Sequence, residues 1–423
     1  MQIKELKIEN YRSLRDITFR PNDLTVVVGA NGSGKSNLAS AFEFLADVYR
    51  NGLEYAVLSK GGFENIAYRR QQRTKSAVQF SIDFLTQDIH LPFVKNRNQP
   101  GLFRVRHTFS FGAARTAIRA DFKIVEETLQ YYIPTGRQSA KDYEKFSNLF
   151  SISKKNGELS YEIGSSSRID PDLVKYLEFI SKRGKERRRG RAFDLLFRDL
   201  YFLGGPAELG DISVHQFSPQ ISRTPGAPSP LPRLTSYGQN LAALVDWLQR
   251  NHPQRWEQVE DSMRQIIPGL ESIGVAFTPN NLLALTFKEE SSAKPWTSQD
   301  VSDGTIQTLA LLCCLADPRN TLLFLEEPEN SVHPWIVQQL TEQFKKNSKQ
   351  TQTILTTHSP VVLNMVEPGD VWICYKEDGE TRISHLPEIN PEVVEDWESG
   401  VARLFELFDM GLVRQAMPKG QIV

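Results

Sequence analysis

Gly29-Ala30-Asn31-Gly32-Ser33-Gly34-Lys35-Ser36 is the stretch that decides the fold, because it matches the phosphate-loop pattern G-x-x-x-x-G-K-[ST] at every fixed position. The residues before it, Leu24–Val28, are apolar and mostly β-branched, which is typical of a buried parallel strand. The residues after it, Asn37–Leu45, carry apolar side chains at helical spacing. A strand, a glycine-rich turn and a helix in this order predict a phosphate-binding loop rather than an accidental glycine-rich turn.

The residue types of this loop fit a nucleoside triphosphate. Glycines let backbone N–H groups close around phosphate oxygens, and the N-terminus of the next helix adds partial positive charge. We expect Lys35 to hold the β- and γ-phosphates of ATP and Ser36 to bind Mg²⁺. The residues predicted to bind the nucleotide here are Asn31, Gly32, Ser33, Gly34, Lys35, Ser36 and Asn37.

The composition restricts the class of protein. The chain has 423 residues, of which 40% are hydrophobic and 24% charged, so we expect a main globular domain with inserted or appended pieces. No apolar stretch approaches the ~18 residues that span a bilayer. Met1–Ile8 also lacks the apolar region of a secretory signal, and we therefore predict a soluble, cytoplasmic protein with no membrane partner.

Charge and cysteine content exclude further classes. Fifty basic and 51 acidic residues give a net charge of −1, so the whole molecule has no field that attracts nucleic acid. Of the three cysteines, Cys313 and Cys314 are adjacent in an apolar run, and the third is Cys374. This pattern favours core packing in a reducing compartment over disulfides or metal ligation.

Apolar periodicity outlines the rest of the chain. Strands are predicted at 4–8, 17–19, 25–28, 78–84, 103–111, 118–124, 212–217, 272–277 and 282–287, and helices at 240–249 and 253–267. Between them, Leu53–Arg73 is predicted to be rich in loops and residues 133–170 to form a mobile surface excursion. A helical pattern begins at Pro171, and the proline-rich segment 219–232 predicts a linker or loop.

Lys182–Arg191 packs seven basic residues into ten positions. One interpretation is a patch that contacts DNA phosphates, and the other is a solvated helix end or loop. The run is the best local candidate for DNA binding in a chain without a global positive field.

Ser302-Asp303-Gly304 precedes an apolar helix that starts near Ile306. Serine and glycine at a helix start can form a second anion site, although the same residues also make an ordinary N-cap. The acidic motif at residues 326–327, described next, favours the anion site over the ordinary N-cap.

Thr321–Leu325 is an apolar strand that ends in Glu326 and Glu327, which is the Walker B arrangement. Strand alternation sends the two carboxylates in different directions. Glu326 is therefore predicted to hold Mg²⁺ and Glu327 to activate the attacking water. The competing interpretation is a strand that merely ends in solvated acids.

Two histidines follow. His358 comes at the end of the β-branched strand Thr353–Thr357, where it would point into the ligand crevice and sense the γ-phosphate. His333 is less specific, and packing and a dimer interface are equally good interpretations.

These motifs occur in the order found in ATP-binding-cassette ATPases. Three further runs resemble the SMC/RecF-type branch, and within it the predicted-ATPase group called AAA-21: Ile8–Leu14, Glu327–Asn330 with His333-Pro334, and Thr357–Pro360. The resemblance covers nearly the whole chain, with residues 85–200 matching loosely.

The resemblance implies an α/β P-loop NTPase with an ABC-type, SMC/RecF-like head, an antiparallel β subdomain and an inserted helical lid. The implied parts are 1–132 and 201–390 for the head, 133–200 for the helical and basic lid, and 391–423 for a C-terminal helical tail. It also implies a head-to-tail homodimer or higher homo-oligomer with ATP between subunits. In that dimer Ser302, Asp303 and Gly304 of one subunit face the phosphate loop of the other.

Three positions depart from the family pattern. Glu326 replaces the commoner Asp, and Val301 replaces the usual Leu of the signature. The Q-loop glutamine has no clear position, with Gln79 as the first candidate.

The leading functional hypothesis is an ATPase switch, with Lys35, Glu327 and His358 as catalytic residues, that controls DNA or a separate nuclease or toxin-like effector in DNA repair or anti-phage defence. The alternative is a DNA clamp without an effector. A transporter subunit is disfavoured by the long insertion between Lys35 and Ser302, and a self-contained nuclease by the 65 residues that follow His358. The run Val401–Met410 predicts a helix that closes the core, with partner docking as the other interpretation.

Overall fold

The computed structural model describes residues 1–68, 76–87, 102–113, 122–134, 146–155, 158–164, 171, 174–179, 195, 205–413 and 415. The strands are β1 (Gln2–Tyr11), β2 (Leu14–Phe19), β3 (Leu24–Val28), β4 (Val78–Thr86), β5 (Phe103–Ala113), β6 (Phe122–Pro134), β7 (Phe146–Lys155), β8 (Glu158–Ile163), β9 (Ile212–His215), β10 (Leu270–Phe277), β11 (Leu283–Glu289), β12 (Trp296–Thr297), β13 (Leu322–Glu326), β14 (Gln352–Thr356), β15 (Val371–Glu377) and β16 (Glu380–His385).

The helices of the described ranges are α1 (Lys35–Asn51), α2 (Leu53–Ser59), α3 (Phe63–Ile66), α4 (Pro219–Ser222), α5 (Leu241–Asn251), α6 (Pro253–Ile266), α7 (Asp303–Ala316), α8 (Pro334–Ser348), α9 (Pro360–Leu363), α10 (Leu386–Ile389), α11 (Pro391–Glu398) and α12 (Leu404–Asp409). Short 3₁₀ helices occur at Pro206–Asp211 and Pro368–Asp370. Residues 174–179 are also helical.

The chain forms two compact units, each assembled from separate segments. The first unit contains Met1–Asn22, Ala30–Ile212 and Ile373–Ser384, and the second contains Asp23–Gly29, Ser213–Trp372 and His385–Val423. The phosphate loop follows directly from β3, so its first residue, Gly29, belongs to the second unit and the rest to the first.

The first unit is built on a sheet with the strand order β8-β7-β6-β5-β4-β1-β2-β16-β15. Strands from β4 to β8 pair with their neighbours in antiparallel fashion, as do β1 with β4 and β1 with β2. The predicted antiparallel β region is therefore confirmed. Alternating burial along β5 and β6 explains the period-2 pattern of their sequences, because one face of the sheet lies against the core.

An aromatic cluster forms the centre of the first unit. Phe44 of α1 stacks on Phe80 of β4 and Phe111 of β5, with ring centroids 5.4 and 5.8 Å apart. Tyr11 at the end of β1 contacts both Phe44 and Phe80. All four rings are fully buried, and burial of each stabilises the fold by about 1.5–3 kcal/mol. The cluster fixes α1, and with it the helix that follows the phosphate loop.

The second unit contains the strands β3-β14-β13-β9 in that order. β14 runs parallel to both β3 and β13, with Leu355 opposite Val26 on one side and Leu325 on the other. Since parallel strands end at the same edge of a sheet, the carboxyl ends of β3, β14 and β13 lie together. A separate three-stranded sheet has the order β10-β11-β12.

Several predicted loops are regular structure. The segment after Leu53 contains α2 and α3, because Leu53, Ala56 and Val57 form a buried helical face. Part of the predicted surface excursion at 133–170 is also wrong, since β7 and β8 extend the antiparallel sheet there. The polar side chains of β8 are those of a half-exposed edge strand, whose composition resembles a loop.

Other predictions hold or lie outside the described residues. The three cysteines are free and buried, as predicted, and burial raises the pKa of Cys374 to about 11. Leu404 and Leu407 of α12 are buried, which confirms a helix that closes the core. The basic run Lys182–Arg191 lies outside the described residues, and the predicted domain boundaries stay predictions. Across the described ranges, no helix combines the length and apolar character needed to cross a bilayer.

Candidate functional site

The phosphate loop connects β3 to α1, as predicted. Gly32 and Gly34 have φ values of 75° and 120°, which a side chain would strain, and Gly34 is the N-cap of α1. Lys35 is 7% exposed, and its Nζ donates a hydrogen bond of 3.3 Å to the carbonyl oxygen of Ala30. The cation is therefore folded back over its own loop, while Asn31, Gly32 and Ser36 are exposed.

The carboxylates of the predicted Walker B motif lie at the end of β13. Glu326 is the last strand residue, and Glu327 follows with a φ of 46°. The Glu327 N–H donates to the carbonyl oxygen of Thr356 at 2.9 Å, and Asn330 Nδ2 donates to Glu327 Oε2 at 2.9 Å. A left-handed backbone conformation costs a bulky residue about 1 kcal/mol or more. These two hydrogen bonds hold Glu327 in that conformation.

His358 follows β14 at the same sheet edge. Its Nε2 atom lies 3.9 Å from Glu327 Oε1, and its side chain is 42% exposed. The strand β3, which leads into the phosphate loop at Gly29, is the other neighbour of β14. Within the second unit, the predicted water-activating carboxylate, the predicted sensor histidine and the start of the phosphate loop thus share one edge.

Glu329 is a third carboxylate that the sequence analysis quoted only as part of a family run. Its Oε1 atom accepts hydrogen bonds from Thr357 Oγ1 at 2.6 Å and from the His358 N–H at 3.0 Å. Glu329 therefore ties the loop after β13 to the end of β14. In the sequence, Glu329 is visible only as a carboxylate two residues after Glu327, with a proline between them. That pattern does not indicate which residues Glu329 contacts.

The predicted signature opens α7. Ser302 is the N-cap, its Oγ accepts from the Thr305 N–H at 3.1 Å, and the residue is exposed. The ordinary capping role is therefore present. A Cβ atom on Gly304 would lie 2.9 Å from the carbonyl oxygen of Ser331, so only glycine lets the signature pack this closely against the loop after β13.

The proline-rich segment 219–232 contacts and supports the signature residues. The composition of the segment did not indicate this role. Arg223 forms an ion pair with Asp303, and Gln220 Nε2 donates to the other Asp303 oxygen at 3.0 Å. Both residues belong to or directly follow α4, a helical turn inside the predicted linker. Prolines at N1 favour helix starts, which explains why this stretch is not all loop.

A profile of the family described as "AAA domain, putative AbiEii toxin, Type IV TA system" (AAA_21) matches residues 136–364, more than half of the chain. The chain belongs to this family. A second profile, described as "AAA ATPase domain" (AAA_15), matches residues 1–187. The motif resemblance to the AAA-21 group and the predicted α/β P-loop fold are confirmed, and the protein is an ATPase.

The AAA_21 chain is also similar to individual proteins, at low sequence identity. The "Retron Vc95 probable ATPase" of Vibrio cholerae serotype O1 biovar El Tor is 20% identical over 430 residues, covering 92% of this chain and 76% of the relative. An SMC head bound to the C-terminal winged helix domain of ScpA matches with a TM-score of 0.49 and 14% identity, covering 91% of this chain and 98% of that one. An Smc head with an extended coiled coil from Pyrococcus furiosus, bound to the C-terminal domain of ScpA, matches with a TM-score of 0.45 and 12% identity over 94% and 99% of the two chains.

Gln79 and His333, whose roles the sequence left open, have structural roles in the AAA_21 chain. Gln79 lies inside β4, and its Nε2 donates to Glu9 Oε1 of the neighbouring strand at 2.8 Å, so it does not sit in a loop as a Q-loop glutamine would. His333 is the exposed N-cap of α8, where its Nδ1 accepts from the Trp335 N–H at 3.3 Å. Capping is a local role that neither earlier interpretation of His333 included.

Glu329→Ala is expected to lower kcat for ATP hydrolysis about tenfold, because the end of β14 loses two hydrogen bonds to a charged acceptor that together restrain His358. Steady-state hydrolysis assays would measure the change. Glu329→Gln is the matched control, since its amide oxygen can still accept both bonds and kcat should stay within about threefold of wild type. Wild-type kcat in Glu329→Ala would contradict a positioning role.

Proposed function

We propose that this ATPase is an ATP-driven switch that closes as a head-to-tail homodimer on ATP, opens after hydrolysis and thereby controls a separate effector. The observation that carries the proposal is the shared edge of the second unit, where Glu327, His358 and the start of the phosphate loop meet. A carboxylate that can activate water, a histidine that can contact the γ-phosphate and a phosphate loop at one edge can together support hydrolysis of ATP.

Each group has a proposed chemical role. Lys35 and the backbone N–H groups of the loop bind the β- and γ-phosphates of ATP, and they stabilise charge that develops during transfer. Glu327 orients and deprotonates the attacking water, with its carboxylate held by Asn330. His358 contacts the γ-phosphate from the end of the neighbouring strand.

Magnesium fits the proposed donor set. Among the described residues, no three His, Cys, Asp or Glu side chains gather as a metal cage. Mg²⁺ at a nucleotide needs no cage, because it takes one or two protein oxygens together with phosphate and water oxygens. The Glu326 carboxylate and the Ser36 hydroxyl are such donors, and the ion would neutralise phosphate charge there.

A cleft in the first unit suits the rest of the nucleotide. Its volume is about 390 Å³, and its lining includes Arg12, Ser13, Tyr68 and Lys376. That volume lies in the usual range of small-molecule sites. We propose it as the place of the base and ribose.

The proposed dimer rests on the exposed signature. Ser302 is exposed at the N-terminus of α7 and the residues 303–305 of the first turn are half-exposed, so an anion can reach the positive end of this helix. The Arg223 pair with Asp303 fixes that turn in place. We propose that Ser302, Asp303 and Gly304 complete the phosphate site of a second copy.

The effector is inferred from the relatives. The family description names a toxin of a type IV toxin–antitoxin system, and the relative is described as a retron ATPase. Both descriptions favour an ATPase that works with other components, and we propose a partner of the nuclease or toxin type in anti-phage defence or DNA repair.

Mixing two inactive variants tests the composite site. Lys35→Ala damages the phosphate loop and Ser302→Arg blocks the signature, so each alone should hydrolyse ATP at under one tenth of the wild-type rate. An equimolar mixture should recover about a quarter of wild-type activity, because half of the dimers are mixed and each has one intact site of two. The assay is phosphate release at fixed total protein.

The control for this mixture is each variant at the same total concentration. Light scattering of Glu327→Gln with and without ATP measures the dimer independently of turnover. No recovery in the mixture, together with a monomer at saturating ATP, would overturn the head-to-tail dimer while leaving the ATPase assignment intact.

A further inference from the structure

We propose that Thr381 is a positioning residue whose hydroxyl holds the phosphate loop in its nucleotide-binding shape. This inference rests on the proposed binding of ATP by the loop. Thr381 lies in β16, far from the loop in sequence, and neither the motifs nor the family matches assign it a role. All of the contacts that carry the inference lie within the first unit.

A directed chain of hydrogen bonds ends on the loop. Asn37 Nδ2 donates to Ser13 Oγ at 2.6 Å, and Ser13 Oγ lies 2.7 Å from Thr381 Oγ1. Thr381 Oγ1 in turn donates to the carbonyl oxygen of Ser33 at 2.9 Å. Because the single Thr381 proton goes to Ser33, Ser13 must donate to Thr381, and each hydroxyl is both donor and acceptor.

The position of Thr381 is fixed from its backbone side. The Thr381 N–H donates to the carbonyl oxygen of Ser13 at 3.0 Å, and Thr381 pairs with Leu14 across the parallel strands β16 and β2. Ser13 also belongs to the turn between β1 and β2, where Arg12 has a φ of 49°. The hydroxyl is therefore presented by two paired strands rather than by a mobile loop.

Peptide geometry transmits this contact to the phosphate site. In a trans peptide, the carbonyl of one residue and the N–H of the next point in opposite directions. A bond from Thr381 that fixes the Ser33 carbonyl also aims the Gly34 N–H away from Thr381. That N–H belongs to the part of the loop that would close around phosphate.

Close packing makes the contact specific. A Cβ atom on Gly34 would lie 2.2 Å from Thr381 Oγ1, so the two residues already touch at the left-handed turn of the loop. Thr381 is 1% exposed and Ser33 3% exposed. Water cannot replace the hydroxyl at so closed a position, and the loop would lose its restraint if the hydroxyl were removed.

The test compares Thr381→Val, which keeps the shape and removes the hydroxyl, with Thr381→Ser, which keeps the hydroxyl. Binding of a fluorescent ATP analogue and steady-state hydrolysis give Kd, KM and kcat. We expect Thr381→Val to raise Kd and KM about tenfold and to change kcat less than about threefold, because the groups that act on the water are untouched. Thr381→Ser should restore Kd to within about threefold of wild type.

Thr128→Val is the matched control. It also removes a strand hydroxyl from the first unit, one that bonds Ser153 across β6 and β7, and it should leave Kd and KM unchanged. Ser13→Ala is the second test, for use if Thr381→Val fails to fold. It breaks the same chain one bond earlier and should raise Kd about threefold or more.

The outcomes separate the inference from the proposed function. Wild-type Kd in Thr381→Val, or in Ser13→Ala if that is the soluble variant, would overturn the role of Thr381. Equal increases of Kd in Thr381→Val and Thr381→Ser would also overturn it, because a hydroxyl-specific restraint must be rescued by serine. Absence of ATP binding in the wild-type protein itself would instead overturn the proposed function.

Discussion

Glu327→Gln is expected to lower kcat for ATP hydrolysis by about 10²–10⁴ while ATP binding is retained, since the amide cannot accept a proton from the attacking water. The substitution preserves shape, and its amide oxygen can still accept the bond that Asn330 donates at 2.9 Å. The strained backbone at this position should therefore stay as it is. Phosphate release and nucleotide affinity measured on the same preparation would separate the two effects.

The control for Glu327→Gln is Glu392→Gln, the same chemical change at an exposed position of α11. It should leave kcat unchanged. We also expect Glu327→Gln to accumulate as the ATP-bound dimer, because closure no longer leads to hydrolysis. Hydrolysis at the wild-type rate in Glu327→Gln would show that another group activates water, and would remove Glu327 from the mechanism.

Lys35→Ala is expected to weaken ATP binding about 100-fold, because charge-assisted bonds to the phosphates are lost in a closed site. At an ATP concentration 100 times the wild-type Kd, ligand binding should stabilise the wild-type protein by about 2.7 kcal/mol but the variant by only about 0.4 kcal/mol. Thermal unfolding with and without ATP measures this difference. The unfolding temperatures of the two proteins without ATP serve as the baseline, because Lys35 Nζ also bonds the Ala30 carbonyl of its own loop.

Lys346→Ala is the matched control for Lys35→Ala. Lys346 is an exposed residue near the end of α8, and its loss should not alter the shift of unfolding temperature that ATP produces. Wild-type affinity in Lys35→Ala would contradict the assignment of the loop as a nucleotide site.

The sequence predicted those parts of the fold that local chemistry determines. Examples are the glycines at positions 32 and 34, the β-branched residues of β3 and the carboxylates at the end of β13. In each case the physical cause of the local structure acts within a few residues. Helix α2 was missed because its buried face, Leu53, Ala56 and Val57, is too short to show periodicity. β8 was missed because its alternating pattern covers only the six residues Glu158–Ile163 and stands in a stretch rich in Ser, Lys and Gly.

The candidate site was only partly predictable for a different reason. Glu329, Arg223 and Thr381 act through partners distant in sequence, and nothing in a single sequence pairs Glu329 with Thr357 or Thr381 with Ser33. Gln79 shows the opposite case. A glutamine has a role in the Q-loop of the family, but the side chain of this glutamine bonds Glu9 of the neighbouring strand. Motifs locate the reacting groups, whereas the residues that hold them depend on tertiary contacts.

The position of β3 between segments that come much later in the chain has a consequence for biosynthesis. β3 ends at Val28, but its parallel partner β14 begins only at Gln352, more than 300 residues later in the chain. At roughly 5–20 residues per second, the ribosome needs on the order of tens of seconds to supply that partner. Throughout this interval the apolar strand ahead of the phosphate loop lacks its native neighbour. The sheet edge that carries the phosphate loop can therefore be completed only after β14 has been translated, and a nascent chain cannot engage ATP in the native manner before that point.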